Sequence, residues 1–376
     1  MSDFSTKIQL QLTVASMEGI DMSSETKERV LQWLTDSDTC FLIGAGCSRC
    51  AGKPLIGELT DRVLENVDVA IKAEFDGLKG AGTRPPTIED LINYLVRYQY
   101  ILQTLNDTKH HTLTPEWIDD SLQAIKKEIV ANIADSWSDS AVHARFLARV
   151  ALRRGGRDIF TLNYDTLIEA TLDKLRYEYV DGFRGSRRGW FDPTVFDEVS
   201  KCVPNFRVHK LHGSINWLRE PTGHVRRSVV SSIDDIEETV VVYPSEQKYL
   251  QTQFGVYETL IGKFRARLRA SNVNNCLVTI GYSFNDEHIN EAIIDAINAT
   301  SSNLTVIAFV GADPKAAEQR EQINKIEERC NNRFNAFVGN SFYVGNALDE
   351  VEARILLKED LWRFEKLVDY IAGVER

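Results

Sequence analysis

Phe41-Leu42-Ile43-Gly44-Ala45-Gly46-Cys47-Ser48 is an apolar run stopped by two glycines, and the segment after it, Leu55 to Val69, turns to helical spacing. A short apolar run bounded by glycine suits a buried strand of a parallel sheet, so the unit reads strand, glycine turn, helix. In such a unit the backbone amides of the turn can approach a pyrophosphate closely, and the helix N-terminus adds partial positive charge. The same glycines also suit a tight strand-to-helix turn that needs positive φ and holds no ligand. The dehydrogenase form of this turn has a third glycine three residues after the second, and Arg49 stands there instead.

Working outward, strands are expected near residues 39, 157, 207, 276, 304 and 341, alternating with helices. This gives an α/β class with a Rossmann-like parallel sheet of about six strands. Three of these strands run into polar segments: Thr161-Leu162-Asn163-Tyr164-Asp165, Lys210-Leu211-His212-Gly213-Ser214 and Gly281-Tyr282-Ser283-Phe284-Asn285-Asp286. Open parallel sheets bind ligands at the C-terminal ends of their strands, which makes Asn163 and His212 candidates. Asp165 either caps the next helix or contacts a ligand. His212 is preferred to His209 on the same strand because glycine follows it and leaves room for a substrate. His288, at a helix start, reads as a surface or packing residue, and Asn285 or Asp286 as the cap of that helix.

Residues 73–154 carry an almost wholly helical pattern, in which Thr87 can cap Ile88 to Leu105. Thr114-Pro115 opens a helix with a core stripe of Leu122, Ile125, Ile129 and Ile133. This is a helical insertion. Tyr177 to Pro204 reads as an irregular loop in which Arg184, Arg187 and Arg188 alternate with anchoring aromatics, Val225 to Tyr243 as a hairpin or flap, and Glu350 to Val374 as mostly helix.

The formal charge of −11 over 376 residues opposes a surface built for nucleic-acid phosphate, so nucleic acid is not expected to bind this chain alone. Neither a long uncharged apolar run nor a signal peptide is apparent, and a cytoplasmic protein with no membrane partner is expected. Six cysteines are too sparse for a disulfide framework. Cys47 and Cys50 form a Cys-x-x-Cys pair without the second pair that structural zinc requires, so no metal is expected.

Taken in order, Gly44-Ala45-Gly46-x-Ser48, Thr161-x-Asn163-x-Asp165, His212-Gly213 and Gly281-x-Ser283 resemble the NAD-binding core of the sirtuin family. The set looks most like the bacterial sirtuin-like proteins of anti-phage defence, over about 36–60 and 155–350. The resemblance implies NAD as substrate, held by Gly44, Ala45, Gly46, Ser48, Thr161 and Gly281, with Ser283 beside the phosphates and Asp313 near the adenosine ribose. It implies that Asn163 orients the attacking water, that His212 acts as general base on that water or a ribose hydroxyl, and that Asp165 orients ribose or the nicotinamide amide. Deacylases of the family carry a zinc module between the catalytic histidine and the later strands. Here residues 213–275 contain no cysteine, so no zinc ribbon is expected, and Lys53-Pro54-Leu55-Ile56-Gly57-Glu58 stands where those enzymes have Pro-Asp-Phe-Arg.

The resemblance therefore implies an NAD+ glycohydrolase yielding ADP-ribose and nicotinamide, an NAD-depleting effector of anti-phage defence. The alternatives are an NAD-dependent protein deacylase or ADP-ribosyltransferase, and a non-catalytic subunit that binds NAD or ADP-ribose. A homo-oligomer regulated by a separate HerA-type ATPase is expected. The expected division is an N-terminal helical extension at 1–35, a sirtuin-like NAD-binding domain at 36–72 and 155–350, the insertion at 73–154 and a C-terminal helix at 351–376.

Overall fold

A computed structural model describes residues 22–80, 85–105, 113–134, 140–151, 156–186, 188–197, 205–220, 224–228, 239–241, 255–270, 275–311, 317–330, 333–339, 341–344, 355–356 and 360–372. Helix α1 (Met22–Thr35) leads into β1 (Thr39–Ile43). Among the described residues five α-helices follow before the chain returns to the sheet: α2 (Ile56–Asn66), α3 (Val69–Leu78), α4 (Ile88–Leu105), α5 (Pro115–Ile133) and α6 (Ala141–Val150). The return strand is β2 (Gly156–Thr161), followed by α7 (Leu167–Leu175), β3 (Glu178–Val180), β4 (Phe183–Arg184), β5 (Arg188–Phe191), β6 (Asn205–Lys210), β7 (Gly213–Arg219), β8 (Val225–Ser228) and β9 (Thr239–Val241). The last part comprises α8 (Val256–Leu268), β10 (Cys276–Ile280), α9 (Glu287–Asn298), β11 (Thr305–Val310), α10 (Ala317–Glu327), β12 (Phe334–Val338), β13 (Ser341–Val344), β14 (Ile355–Leu356) and α11 (Phe364–Ala372).

The main sheet has nine strands in the order β14-β13-β12-β11-β10-β1-β2-β6-β3. The seven from β12 to β3 are parallel, and β13 and β14 add an antiparallel edge. β1 lies near the middle: the chain builds outward through β2 and β6 on one side, then crosses back to β10 on the other. That reversal is a topological switch point, where open α/β sheets place their ligands.

All five residues of β1 and of β10 are buried, as expected for strands covered on both faces. Alternate residues divide between two cores. Cys40, Leu42, Phe160, Leu277 and Val306 join a cluster with Leu260 and Phe264 of α8 and Ile293 of α9. Phe41, Ile43, Ile159, Val278 and Ile307 join one with Val30 of α1, Phe146 of α6 and Leu367 of α11. A third core gathers α2 to α5 through Leu59, Val63, Ile88, Leu91, Ile118 and Ile125, and includes Ile215 of β7. The helical body thus begins at α2, inside the stretch expected to belong to the nucleotide domain, and α6 packs on the sheet.

The strands differ from the sequence reading at three further places. The sheet exceeds six strands because β3, β12 and β14 were not distinguished from loop or helix, and Glu350 to Val374 contains β14 before its helix. The stretch read as an irregular loop holds β3 to β5, and β4 and β5 join a second, five-stranded antiparallel sheet ordered β4-β5-β8-β7-β9. β3, β4, β5 and β14, of two to four residues, are too short to show a period, whereas Asn335 interrupts the apolar run of β12. Asp313 lies outside the described residues, as does most of the expected flap.

Arg157 ties the elements before β1 to β2. Its side chain is fully buried and donates to the carbonyls of Val150 (3.0 Å), Asp36 (2.5 Å), Thr39 (2.7 Å) and Thr35 (3.2 Å), covering the ends of α1 and α6. Burial pulls its guanidinium down to about 10, still charged at neutral pH. Arg157→Met keeps the length and removes all four donations, leaving the Asp36 carbonyl only the Thr39 amide at 3.2 Å. We expect a loss of roughly 3 kcal/mol in urea unfolding, the scale for uncovering buried acceptors that held a charged donor.

Candidate active site

Three strand ends meet at the switch point. Gly44 N donates to the Ile280 carbonyl (2.9 Å) and Gly46 N to the Gly281 carbonyl (3.0 Å), so the turns after β1 and β10 lie backbone against backbone. A Cβ on Gly44 would stand 2.4 Å from the Gly281 oxygen, one on Gly46 2.7 Å from the Gly281 Cα, and one on Gly281 2.5 Å from the Cys47 nitrogen. Gly281 also has φ of 64°. The glycines are therefore required for close approach of the two turns. Within the β1 turn, Cys47 N and Ser48 N donate to the carbonyls of Gly44 and Ala45 at 3.0 Å each. Three amides expected to face a pyrophosphate thus already have partners inside the protein. Ala45 is exposed at the apex.

β2 delivers the polar centre. Asn163 is 8% exposed, and its Nδ2 donates to the Gly44 carbonyl (3.2 Å) and Ser48 Oγ (2.9 Å). A carbonyl can only accept, which fixes the amide orientation. Asn163 Oδ1 is consequently left buried with no hydrogen-bond partner among the described residues. Ser48 Oγ donates to Asp165 Oδ2 (2.6 Å), while Asp165 Oδ1 accepts from Leu167 N (3.1 Å) at the start of α7. Asp165 therefore closes the turn one residue ahead of the cap position, Thr166, and also bonds a side chain of the site. Thr161 Oγ1, buried, accepts from Asn163 N (3.1 Å) and so holds the asparagine rather than facing outward.

Beneath this layer, Lys210 donates through Nζ to the Asp165 carbonyl and pairs with Glu169 Oε1 at 3.1 Å, the two side chains being 1% and 9% exposed. Burial lifts the Glu169 carboxyl above its ordinary range against the pull of the ammonium. Neither residue was read as part of a site. The available signal was a lysine ending a strand that alternates polar residues with Phe206 and Val208, paired with Thr161 of β2.

β6 brings His212 to the same edge, because Leu211 N donates to the Thr161 carbonyl (2.9 Å) just beyond the ladder. His212 is 8% exposed, and its Nε2 lies 2.8 Å from Asp286 Oδ2. Asp286 also caps α9, accepting from Ile289 N at 3.3 Å. Sequence reasoning found the cap and missed the histidine contact. Ser283 is exposed on the turn after β10. Tyr164 and Ile215 pack against the helical core, which places that body beside the site.

His209 is a core residue. It stacks between Phe160 and Phe196, with ring centroids 4.4 and 4.2 Å away, and Nε2 lies 3.0 Å from Asp158 Oδ1. Burial lowers its pKa against the pull of Asp158. For Asp158, burial would raise the carboxyl, but hydrogen bonds from His209 and Arg207 override it and hold it well below the usual range. Cys47 Sγ donates to the Ile280 carbonyl (3.3 Å), and burial pushes its thiol well up, so it packs as a neutral core group. No group of three or more His, Cys, Asp or Glu among the described residues is placed to hold a metal ion. No described helix is long and apolar enough to cross a membrane.

The polar strand ends of β2, β6 and β10 form one site. Residues 157–334 match the family profile of the SIR2-like domain. This SIR2-like region begins at β2, so the glycine turn after β1 precedes it and is joined to it through Gly281 and Asn163. No curated protein matches the chain. Solved structures that align with it include a Sir2 enzyme at 12% identity, over 81% of this chain and 96% of that one, with a TM-score of 0.35. A Sir2 homologue solved as its NAD complex aligns at 15% identity over 80% and 94%, with a TM-score of 0.38.

The glycine contact sets a test with two signs. Gly44→Ala overlaps the Gly281 oxygen and is expected to cost about 2 kcal/mol or more, as overpacking does. Gly57→Ala, in the exposed first turn of α2 with nothing within 4 Å of its Cβ, should be neutral or stabilise by about 0.5 kcal/mol. Thermal unfolding of both variants measures the difference, and equal midpoints would remove the close-approach argument.

Proposed function

We propose that this chain hydrolyses NAD at the bond between nicotinamide and ribose, releasing nicotinamide and ADP-ribose. The observation that carries the reading is Asn163: a buried amide whose donor atoms are committed and whose one open atom is an acceptor, at the switch point of a chain with a SIR2-like region. An unpaired buried acceptor costs about 1–3 kcal/mol, and a ligand or water O–H relieves it. An attacking water donating to Asn163 Oδ1 is thereby oriented, which is the acceptor half of the role expected from sequence.

Breaking the glycosidic bond leaves an oxocarbenium-like ribose, so the site must hold the dinucleotide and stabilise charge at the anomeric carbon. Carbonyl oxygens near the Gly44 and Gly281 turns offer negative partial charge for that purpose. His212, on the neighbouring strand end, takes the proton from water or a ribose hydroxyl as general base. Ala45 at the exposed apex and Ser283 on the facing turn are the positions we assign to the phosphates. The network of Asn163, Ser48 and Asp165 is closed by hydrogen bonds before any substrate arrives, which spares reorganisation during the reaction.

In this reading the protein is an NAD-depleting effector of anti-phage defence in the cytoplasm, a homo-oligomer controlled by a separate HerA-type ATPase. Absence of cysteine from 213–275 supports hydrolysis over deacylation, since the zinc module of the deacylases has no counterpart there.

Purified chain, with and without the ATPase, is expected to convert NAD to ADP-ribose and nicotinamide. His212→Ala should lower kcat by roughly 10²- to 10⁴-fold, the range for loss of a general base. Asn163→Ala should also lower kcat, and normal turnover by either variant removes that residue from the mechanism. Acyl-peptide turnover seen by mass spectrometry would replace hydrolysis with deacylation, and tight NAD binding without nicotinamide release would indicate a binding subunit.

A further inference from the structure

The turn from Gly281 to Asp286 is braced at several points. Two residues, Gly281 (φ 64°) and Phe284 (φ 61°), adopt left-handed backbone. A bulky side chain at positive φ is strained by about 1–3 kcal/mol and persists only where surrounding structure enforces it. Here Phe284 is fully buried, and Asn290 Nδ2 donates to its carbonyl at 2.8 Å. The Tyr282 hydroxyl lies within hydrogen-bonding distance of the Asp286 carbonyl (3.1 Å) and Asn290 Oδ1 (2.9 Å). Gln319 of α10 donates to the Tyr282 carbonyl at 2.7 Å. What this scaffold fixes is Asp286, whose two oxygens have separate tasks: Oδ1 accepts from Ile289 N at the start of α9, and Oδ2 meets His212 Nε2 at 2.8 Å with both side chains 10% exposed.

We propose that Asp286 is a positioning residue for His212, and that the turn Gly281 to Asp286 exists to aim its carboxylate at the imidazole. An ionised carboxylate only accepts, so in neutral His212 the proton sits on Nε2 and the basic lone pair on Nδ1. The base of the reaction is then Nδ1, and Asp286 stabilises the imidazolium formed when that nitrogen takes a proton. This rests on the reading of His212 as general base, while the assignment of its tautomer stands apart from any activity.

Asp286→Asn separates the two. Asparagine caps helices as well as aspartate does, and its single oxygen is held by the Ile289 amide, so its NH2 group faces His212 Nε2 and demands the opposite tautomer. Two-bond ¹H–¹⁵N spectra of histidine-labelled full chain, assigned with His212→Gln and recorded where the imidazole is neutral, should show Nε2–H in the native protein and Nδ1–H in Asp286→Asn. Asp286→Ser, which also caps, should give a mixture. In NAD cleavage, Asp286→Asn should lower kcat by about 10²-fold or more, the direction seen when a triad histidine takes the wrong tautomer, and change KM by less than about 3-fold. A folded Asp286→Asn protein that keeps Nε2–H, or that turns over at the native kcat, overturns the proposal. If the native chain cleaves no NAD, the hydrolase reading fails, and the spectra alone still decide whether Asp286 sets the tautomer.

Discussion

The contact between the β1 and β10 turns constrains everything around it. Gly44 and Gly46 lie against Gly281 closer than any Cβ would permit, with Gly44 N and Gly46 N donating across the seam. This seam lies at the point where the sheet reverses its build direction, so the two turns meet backbone to backbone there. It also brings Ser48 to Asn163 and Asp165, since the 3₁₀ turn Ala45–Cys47 starts from Gly44 and delivers Ser48 at its end. Loss of the close approach would move Ser48 together with the turn.

Below the seam the structure accepts a cost. Lys210 and Glu169 are buried together, and one Glu169 oxygen has no partner among the described residues. A buried pair gains little net stability over an apolar replacement, because both ions lose hydration. Its effect is geometric: the ammonium grips the Asp165 carbonyl from below while Ser48 grips its carboxylate from the side. The residue between two strand ends is thereby fixed in both backbone and side chain. Arg157 does comparable work at the opposite end of β2, where it gathers four carbonyls.

The sequence made the central strands and their polar ends legible because buried parallel strands are continuous apolar runs stopped by glycine or polar residues, as at Phe41 to Gly44 and Cys276 to Gly281. The second sheet was hidden. β4, β5 and β8 carry Arg184, Arg188, Trp190, Arg226 and Arg227, and their order is set by antiparallel partners far along the chain. Phe334–Val338 was missed because Asn335 breaks its run and a hairpin to β13 follows at once. Among site residues, the strand-end positions Asn163 and His212 could be found by the ligand rule for open sheets, whereas the Lys210–Glu169 pair could not, since it joins a strand to the helix after a different strand.

The hardest residues to read were the two aspartates, and the structure explains why. Asp165 gives Oδ1 to the Leu167 amide and Oδ2 to Ser48, and Asp286 gives Oδ1 to the Ile289 amide and Oδ2 to His212. Asp286 caps its helix, Asp165 stands one residue before the cap position Thr166, and each spends its second oxygen on a side chain of the site. A helix start is a rigid place to mount a carboxylate, because the amide it accepts from belongs to the first turn and moves only with the helix. In sequence the capping and the aiming share one letter, so the common task of capping masks the other. For Asp286 the cap is what gives the contact its direction, and for Asp165 the bond to the Leu167 amide does so from one residue ahead of the cap.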